Sequence, residues 1–251
     1  MELLLPQKFM TGCIRMKEIE YDVQKSVEFT FTPKMVGCGM LYDYVYPSRP
    51  KETIPPSILK MLDASGKWLA ERKYNGDRVV IHISPSRLVT IWNRYKAVAA
   101  IFNRNVALRK QIAGLNLKAG IDYWLDAEGL QNHTTNPDYK GKIVLFDLLV
   151  EDKFLYKPNV LERYERLFDI CNSPKILEPK HGIALQVDAD LWLAPVFRTN
   201  FTQHFKEMIH LDEIEGLVAK RLDSSLNYNP QKATEVSWQI RCRKANKNYR
   251  Y

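Results

Sequence analysis

Asn75-Gly76 stands between two β-type runs, Trp68-Leu69-Ala70 before it and Val79-Val80-Ile81-His82-Ile83 after it. Few dipeptides constrain a chain more, because both residues tolerate the positive φ that a two-residue hairpin turn demands. The spacing therefore predicts a hairpin. The full stretch, Glu71-Arg72-Lys73-Tyr74-Asn75-Gly76-Asp77-Arg78, also puts a lysine just ahead of the turn and an arginine just beyond it. A lysine beside a tight glycine turn, with a cation on the next strand, is a candidate covalent catalyst for phosphoryl chemistry. Taken alone, the octapeptide reads more readily as a plain hairpin, since short motifs recur by chance.

β-Branched and aromatic content marks further strands at Val79 to Ile83, Leu88 to Trp92, Ile143 to Leu149, Gly216 to Lys220 and Val236 to Arg243. Helices interrupt them. Lys96 to Ile112 is the clearest, with Ala99, Phe102, Val106 and Ile112 along one side. Asn159 caps a second, in which Val160, Tyr164, Leu167 and Cys171 recur at helical spacing while Arg163 and Arg166 face outward. A third runs from Thr202 to Ile209. Residues 1 to about 60 mix β-type runs such as Val27-Glu28-Phe29-Thr30-Phe31-Thr32 with proline-rich connections, and are expected to pack as an N-terminal extension on a single domain of residues 1–251. The pattern is α+β, with antiparallel sheets forming the core and helices outside.

Lys+Arg at 37 against Asp+Glu at 29 leaves a net charge of +8, which favours polyanionic partners such as nucleic acid. On charge alone, a basic protein without such a partner stays open. Cys13, Cys38, Cys171 and Cys242 show no C-x-x-C spacing for zinc and fit reduced thiols. The apolar start, Met1 to Pro6, is too short for a signal peptide and has no basic leader. No later run reaches bilayer-spanning length, so a soluble, cytoplasmic chain without membrane contact is expected.

Four clusters beyond the lysine turn combine a hydrophobic strand with charge. In Tyr123-Trp124-Leu125-Asp126-Ala127-Glu128-Gly129-Leu130, strand alternation places Asp126 and Glu128 on one face, suited to a divalent metal or a ribose, or to solvent alone. Ile143-Val144-Leu145-Phe146-Asp147-Leu148-Leu149 is apolar except for one aspartate, which needs a partner if buried; Phe146 offers a flat surface to a purine or packs in the core. Glu215-Gly216-Leu217-Val218-Ala219-Lys220-Arg221 has an acid at the start of a strand and a base at its end. Trp238-Gln239-Ile240-Arg241-Cys242-Arg243-Lys244 puts Arg241 and Arg243 on one face, and the basic series continues through Lys247 and Arg250 with no acidic residue.

These five clusters, in this order from residue 71 to 243, resemble the motif series of the covalent nucleotidyltransferase superfamily, which comprises DNA ligases, RNA ligases and mRNA capping enzymes. The family's first motif reads K-x-D-G-x-R. The resemblance implies that Lys73 is the nucleophile, that Arg78 positions nucleotide and polynucleotide phosphate, and that Glu71 belongs to the nucleotide site. It implies further that Glu128 is the acid of the third motif, Phe146 the purine-stacking aromatic, Glu215 a metal-associated acid alongside Glu128, and Lys220 the basic end of the fourth motif. The implied fold is the ligase adenylation fold, with antiparallel sheets flanked by helices. Three departures stand out. Asn75 replaces an aspartate, Arg241 and Arg243 replace two lysines, and only eight residues follow Arg243, so no C-terminal oligonucleotide-binding barrel is expected. Arginine preserves phosphate binding but does not titrate near neutral pH, which puts a proton-transfer role at that position in doubt.

The mechanism implied by the resemblance is attack of Lys73 on the α-phosphate of ATP, release of pyrophosphate, transfer of AMP to a 5′-phosphate and sealing by a 3′-hydroxyl, with Mg²⁺ as cofactor. An ordinary lysine amine, of pKa about 10.4, is neutral in about one molecule per thousand near pH 7.4. An attacking lysine therefore needs cations nearby, and asparagine in place of a carboxylate works in the same direction. The expected partner is nicked duplex DNA bound by a monomer. RNA or mixed RNA/DNA ends remain open, as does a noncatalytic nucleic-acid-binding relative; a GTP-dependent capping activity is disfavoured.

Overall fold

A computed structural model describes residues 42–172, 174–176, 183–227 and 229–245. The β-type run at Val27 to Thr32, Cys13, Cys38, Lys247 and Arg250 lie outside the described residues. The strands are β1 (Arg49–Ile54), β2 (Trp68–Tyr74), β3 (Asp77–Ile83), β4 (Val89–Asn93), β5 (Tyr123–Leu130), β6 (Lys142–Glu151), β7 (Lys153–Phe154), β8 (Lys175–Ile176), β9 (Leu185–Gln186), β10 (Leu191–Leu193), β11 (Val196–Phe197), β12 (Ile214–Arg221) and β13 (Glu235–Arg243). Five short helices accompany them: α1 (Leu59–Ala64), α2 (Ala100–Asn103), α3 (Val106–Ala113), α4 (Val160–Ile170) and α5 (Phe201–Met208).

Two sheets result, one ordered β1-β13-β12-β2-β11 and the other β4-β3-β5-β6-β10-β9-β8, with β7 paired to β6. The architecture is α+β, as the strand and helix pattern predicts. Pairing is antiparallel except for β1 with β13 and β10 with β6, which are parallel. Among the described residues no closed barrel forms, and no helix is long and apolar enough to cross a membrane.

The predicted hairpin at Asn75-Gly76 does not form. β2 pairs with β11 and β12 in the first sheet, whereas β3 pairs with β4 and β5 in the second, so the dipeptide links two sheets. Gly76 has no positive φ, which a type I′ turn would require. Its glycine requirement has another origin. A Cβ built there would lie 2.5 Å from the Gly129 carbonyl oxygen and 2.9 Å from Glu128 Cγ, so the link passes against β5 only because the side chain is absent. The backbone N–H of Asn75 donates to Glu213 O at 2.8 Å instead of to a hairpin partner.

β6 lies inside the second sheet and is buried along both of its sides, which explains its near-continuous apolar run. Between Ile143 and Val150 only Phe146 is partly exposed. Asp147, inside that run, is 5% exposed and meets Arg163, which donates from Nε to Oδ1 at 2.8 Å and from Nη2 to Oδ2 at 3.2 Å. Arg163 therefore faces inward and is fully buried, contrary to its expected outward position, because the buried carboxylate needs a charged partner. Arg166 does lie at the surface. α4 itself starts where predicted: Asn159 accepts from Leu161 N and Glu162 N, and Glu162 closes the capping box.

The expected long helix over Lys96 to Ile112 is instead two pieces. Asn105 accepts from Leu108 N at 3.0 Å and starts a new helix, while Lys96, with φ of 61°, belongs to the turn after β4. Phe102 and Ile112 are buried as expected, but Val106 is exposed. α1 and α5 cover the other face of the first sheet, where Leu59, Leu62, Phe197, Phe201 and Phe205 form a separate apolar cluster with Ala70 and Leu217.

Replacing Arg163 leaves the Asp147 charge buried with its main partner gone. Arg163→Met is expected to lower the unfolding free energy by about 3–5 kcal/mol, against about 0.5 kcal/mol or less for Arg166→Met. Urea unfolding of both variants at neutral pH measures the difference.

Candidate functional site

The divergence of β2 and β3 opens a cleft of about 570 Å³ between the two sheets, within the usual range for small-molecule sites. Strand register decides what faces it. Glu71, Val218 and Arg241 lie opposite one another across β2, β12 and β13, and Lys73, Gly216 and Arg243 form the next row on the same face. Lys220 continues β12 two residues beyond Val218. From the second sheet come Arg78, paired in register with Glu128, and Asp126 and Phe146. All nine residues singled out from the sequence, Glu71, Lys73, Arg78, Glu128, Phe146, Glu215, Lys220, Arg241 and Arg243, line this one cleft.

Lys73 makes an ion pair with Glu215 Oε2, and Arg243 Nε lies 3.4 Å from the same oxygen. Glu215 is placed there by a register shift in the β12–β2 pairing between Ile214 and Gly216. Such bulges re-aim a side chain. Gly216 follows at φ 145°, and a Cβ there would run into the Cys242 carbonyl oxygen, so the bulge tolerates only glycine.

Arg78 donates from Nε to Asp126 Oδ1 at 2.9 Å, pairs through Nη2 with Oδ2, and gives a further hydrogen bond to Ser48 O at 2.9 Å. Asp126 is thus committed to a bidentate clamp that orients Arg78, and it is not a free metal or ribose ligand in this arrangement. Lys220 is 3% exposed; its ammonium donates to Glu71 Oε1 at 2.8 Å and Phe146 O at 3.2 Å and lies 3.8 Å from Asp147 Oδ2. Phe146 lies near both cations, with Arg78 5.7 Å and Lys220 5.6 Å from its ring centroid. Arg241 donates to Thr53 Oγ1 at 2.8 Å across the β13–β1 pairing.

Burial pushes the Glu128 carboxyl up to about 7 against the pull of Lys73 and Arg78. Burial does the same to Glu71, also to about 7, with Lys220 opposing. Asp126 is raised by burial, while its partner Arg78 is held more firmly protonated by the Asp126 charge.

Asn75 has a structural use. Its side-chain amide donates to Asp212 O at 3.0 Å, which an aspartate carboxylate could not do, and so ties the lysine link to the loop preceding Glu215.

Sequence reasoning missed the contribution of residues 42–54. Tyr44, Tyr46, Pro47, Arg49 and Pro50 line the cleft, and β1 forms an edge of the first sheet. The signal was the alternation Tyr42-x-Tyr44-x-Tyr46, which puts three aromatics on one side of an extended segment. Arg94 and Tyr95, from the turn after β4, complete the rim.

A magnesium site made by protein alone is absent: among the described residues no group of three or more His, Cys, Asp or Glu side chains could hold a metal ion. Glu128 and Glu215 are two carboxylates on facing walls, which fits a magnesium ion that brings most of its ligands from phosphate and water.

No protein-family model matches the chain, and no curated protein matches it. Solved structures do. A mycobacterial DNA ligase D complexed with ATP and MES superposes with a TM-score of 0.57 at 19% identity, over 82% of this chain and 62% of that one. The ligase domain from M. tuberculosis LigD gives 0.55 at 18% identity, over 80% of this chain and 60% of that one. The chain has the fold of a ligase adenylation domain, in agreement with its motif order. It spans less than two thirds of the length of either ligase.

Replacing Glu128 with glutamine tests the electrostatics. A carboxyl whose pKa rises on folding stabilises fully below its unfolded value of 4.5, and that contribution is lost as pH rises through about 7. Glu128→Gln is therefore expected to gain about 1–3 kcal/mol of stability at pH 8 relative to wild type, and to lose part of the pH dependence between 4.5 and 7. Urea titrations across that range provide the measurement.

Proposed function

We propose that this chain is the nucleotidyl-transfer part of an ATP-dependent polynucleotide ligase, acting through an AMP–Lys73 intermediate. The observation that carries the reading is the convergence of Lys73, Glu215 and Arg243 in one contact at the base of a cleft that also holds Arg78, Glu128 and Phe146. That constellation supplies a nucleophile, cations for phosphate and an aromatic face, and it does so in a ligase adenylation fold.

In this reading the Lys73 amine attacks the α-phosphorus of ATP. A nitrogen–phosphorus bond forms, the bond to the bridging oxygen breaks, and pyrophosphate leaves with the electron pair. Glu215 is the nearest base to receive the amine proton. Arg243 and Arg78 stabilise charge on the phosphate oxygens, and arginine in place of lysine at 241 and 243 suits that task. Phe146 takes the adenine ring, and Glu71 is the carboxyl beside it. Magnesium held by Glu128 and Glu215 would supply charge neutralisation on the triphosphate. AMP then passes from Lys73 to a 5′-phosphate, and a 3′-hydroxyl attacks that activated phosphate, forming the phosphodiester bond and expelling AMP with the electron pair of the broken anhydride. Nicked duplex DNA is the proposed substrate, in line with the DNA ligases whose fold it shares, with the described residues acting as one domain.

Incubation with ATP labelled at the α-phosphate is expected to leave an acid-labile label on the denatured chain, reduced about 10³-fold or more in Lys73→Ala. A panel of nicked duplexes with DNA or RNA on either side of the nick then reads substrate. Absence of label on wild type would leave the noncatalytic reading in its place; sealing only of RNA nicks would overturn the DNA assignment.

A further inference from the structure

From Arg78 to Ile121 the chain carries eight basic residues and no acidic one. Those eight equal the net charge of the whole protein, +8, so the excess cation is concentrated in this stretch and the remainder balances. The fold lays the middle of this stretch, β4 and α2, along one edge of the second sheet. β4 is the edge strand, and α2 is fastened to it by Asn103, which accepts from Ile91 N at 3.0 Å and donates to Ile91 O at 2.7 Å. Arg94, Lys96 and Arg104 are exposed there, and among the described residues none of the three forms an ion pair.

The stretch runs into the cleft through Arg94 and Tyr95. Their turn is preorganised: Asn93 Oδ1 accepts from Tyr95 N at 2.9 Å and Ala97 N at 3.0 Å, Asn93 N donates to Ala97 O at 2.8 Å, and Tyr44 Oη donates to Asn93 O at 3.0 Å. Tyr95 is 72% exposed, with the Arg94 guanidinium 4.8 Å from its ring centroid. A rigid, exposed aromatic beside a row of unpaired cations is the combination that binds nucleic-acid strands, by stacking and by phosphate neutralisation. Val98 and Ile101 are exposed in the same stretch, but an apolar partner covering them would also desolvate those cations, whereas a polyanion would neutralise them.

We propose that this edge, from Arg94 to Arg104, is a nucleic-acid track leading into the cleft: Tyr95 stacks on a base, and Lys96 and Arg104 contact phosphates. The inference rests on the proposed function for the nature of the polymer. It is tested with Lys96→Asn/Arg104→Gln, asparagine being chosen because it tolerates the positive φ at position 96. A control, Lys60→Gln/Lys206→Gln, removes the same charge from α1 and α5 on the first sheet.

Binding to a nicked DNA duplex is read by fluorescence anisotropy over a range of salt. The track variant is expected to lower the salt slope by about 2 and to bind about 30-fold more weakly at 0.15 M salt, with the gap closing towards 1 M. The control keeps wild-type binding, and both variants keep wild-type α-phosphate labelling and thermal midpoint. Wild-type affinity and slope in the track variant, equal losses in both variants, or no duplex binding by wild type would overturn the proposal; the first of these would leave the edge to an acidic protein surface. Track-dependent binding without any labelling of wild type would instead overturn the ligase mechanism and leave the track standing.

Discussion

The close approach at Gly76 is the contact on which the rest of the cleft depends. β2 and β3 are consecutive strands, joined by two residues, yet they enter different sheets. That is feasible only where the link can press against the backbone of β5, and a Cβ at Gly76 would collide with the Gly129 carbonyl and the Glu128 side chain. One consequence is geometric. Lys73 ends on one wall and Arg78 on the other, facing each other across the space that the divergence opens.

A second consequence is electrostatic. Both walls carry residues of both signs, and four cations of the cleft are held by carboxylates: Lys73 and Arg243 by Glu215, Arg78 by Asp126, and Lys220 by Glu71 and Asp147. The pairs fix side-chain directions before any ligand arrives, which is what preorganisation requires. An incoming phosphate must compete with Glu215 for Lys73 and Arg243. Arg78 keeps donors beyond its bidentate clamp, and Glu128, whose carboxyl is lifted to about 7 by burial, is poised between charge states in the same space.

Much of this was legible in the sequence. Period-two alternation places Glu71 with Lys73, Asp126 with Glu128 and Arg241 with Arg243; the register of β2, β12 and β13 keeps the first and last pairs on the cleft face, and that of β3 and β5 does so for the second. The α4 N-cap was equally plain in Asn159. The errors share a cause. Asn-Gly signals a local turn, but the partner strands that β2 and β3 select are distant in sequence, and tertiary pairing overrode local preference. Arg163 looked like a surface residue because helical periodicity does not report that Asp147, sixteen positions earlier, would be buried beneath it. Asn105 was hidden inside an apparently continuous apolar stripe, although as a favoured N-cap residue it could have been read as a break. The aromatic alternation at Tyr42, Tyr44 and Tyr46 was visible, yet nothing local told that Tyr44 and Tyr46 would line the cleft.

The central claim is that Lys73 is the residue that becomes covalently joined to AMP. The most direct measurement is peptide mapping by mass spectrometry after incubation of the whole chain with ATP and magnesium, carried out without acid. The account predicts an adenylyl group on the peptide containing Lys73 and on no other, removed by mild acid and by added pyrophosphate. An unmodified Lys73, or an adenylyl group on a different residue, would contradict it.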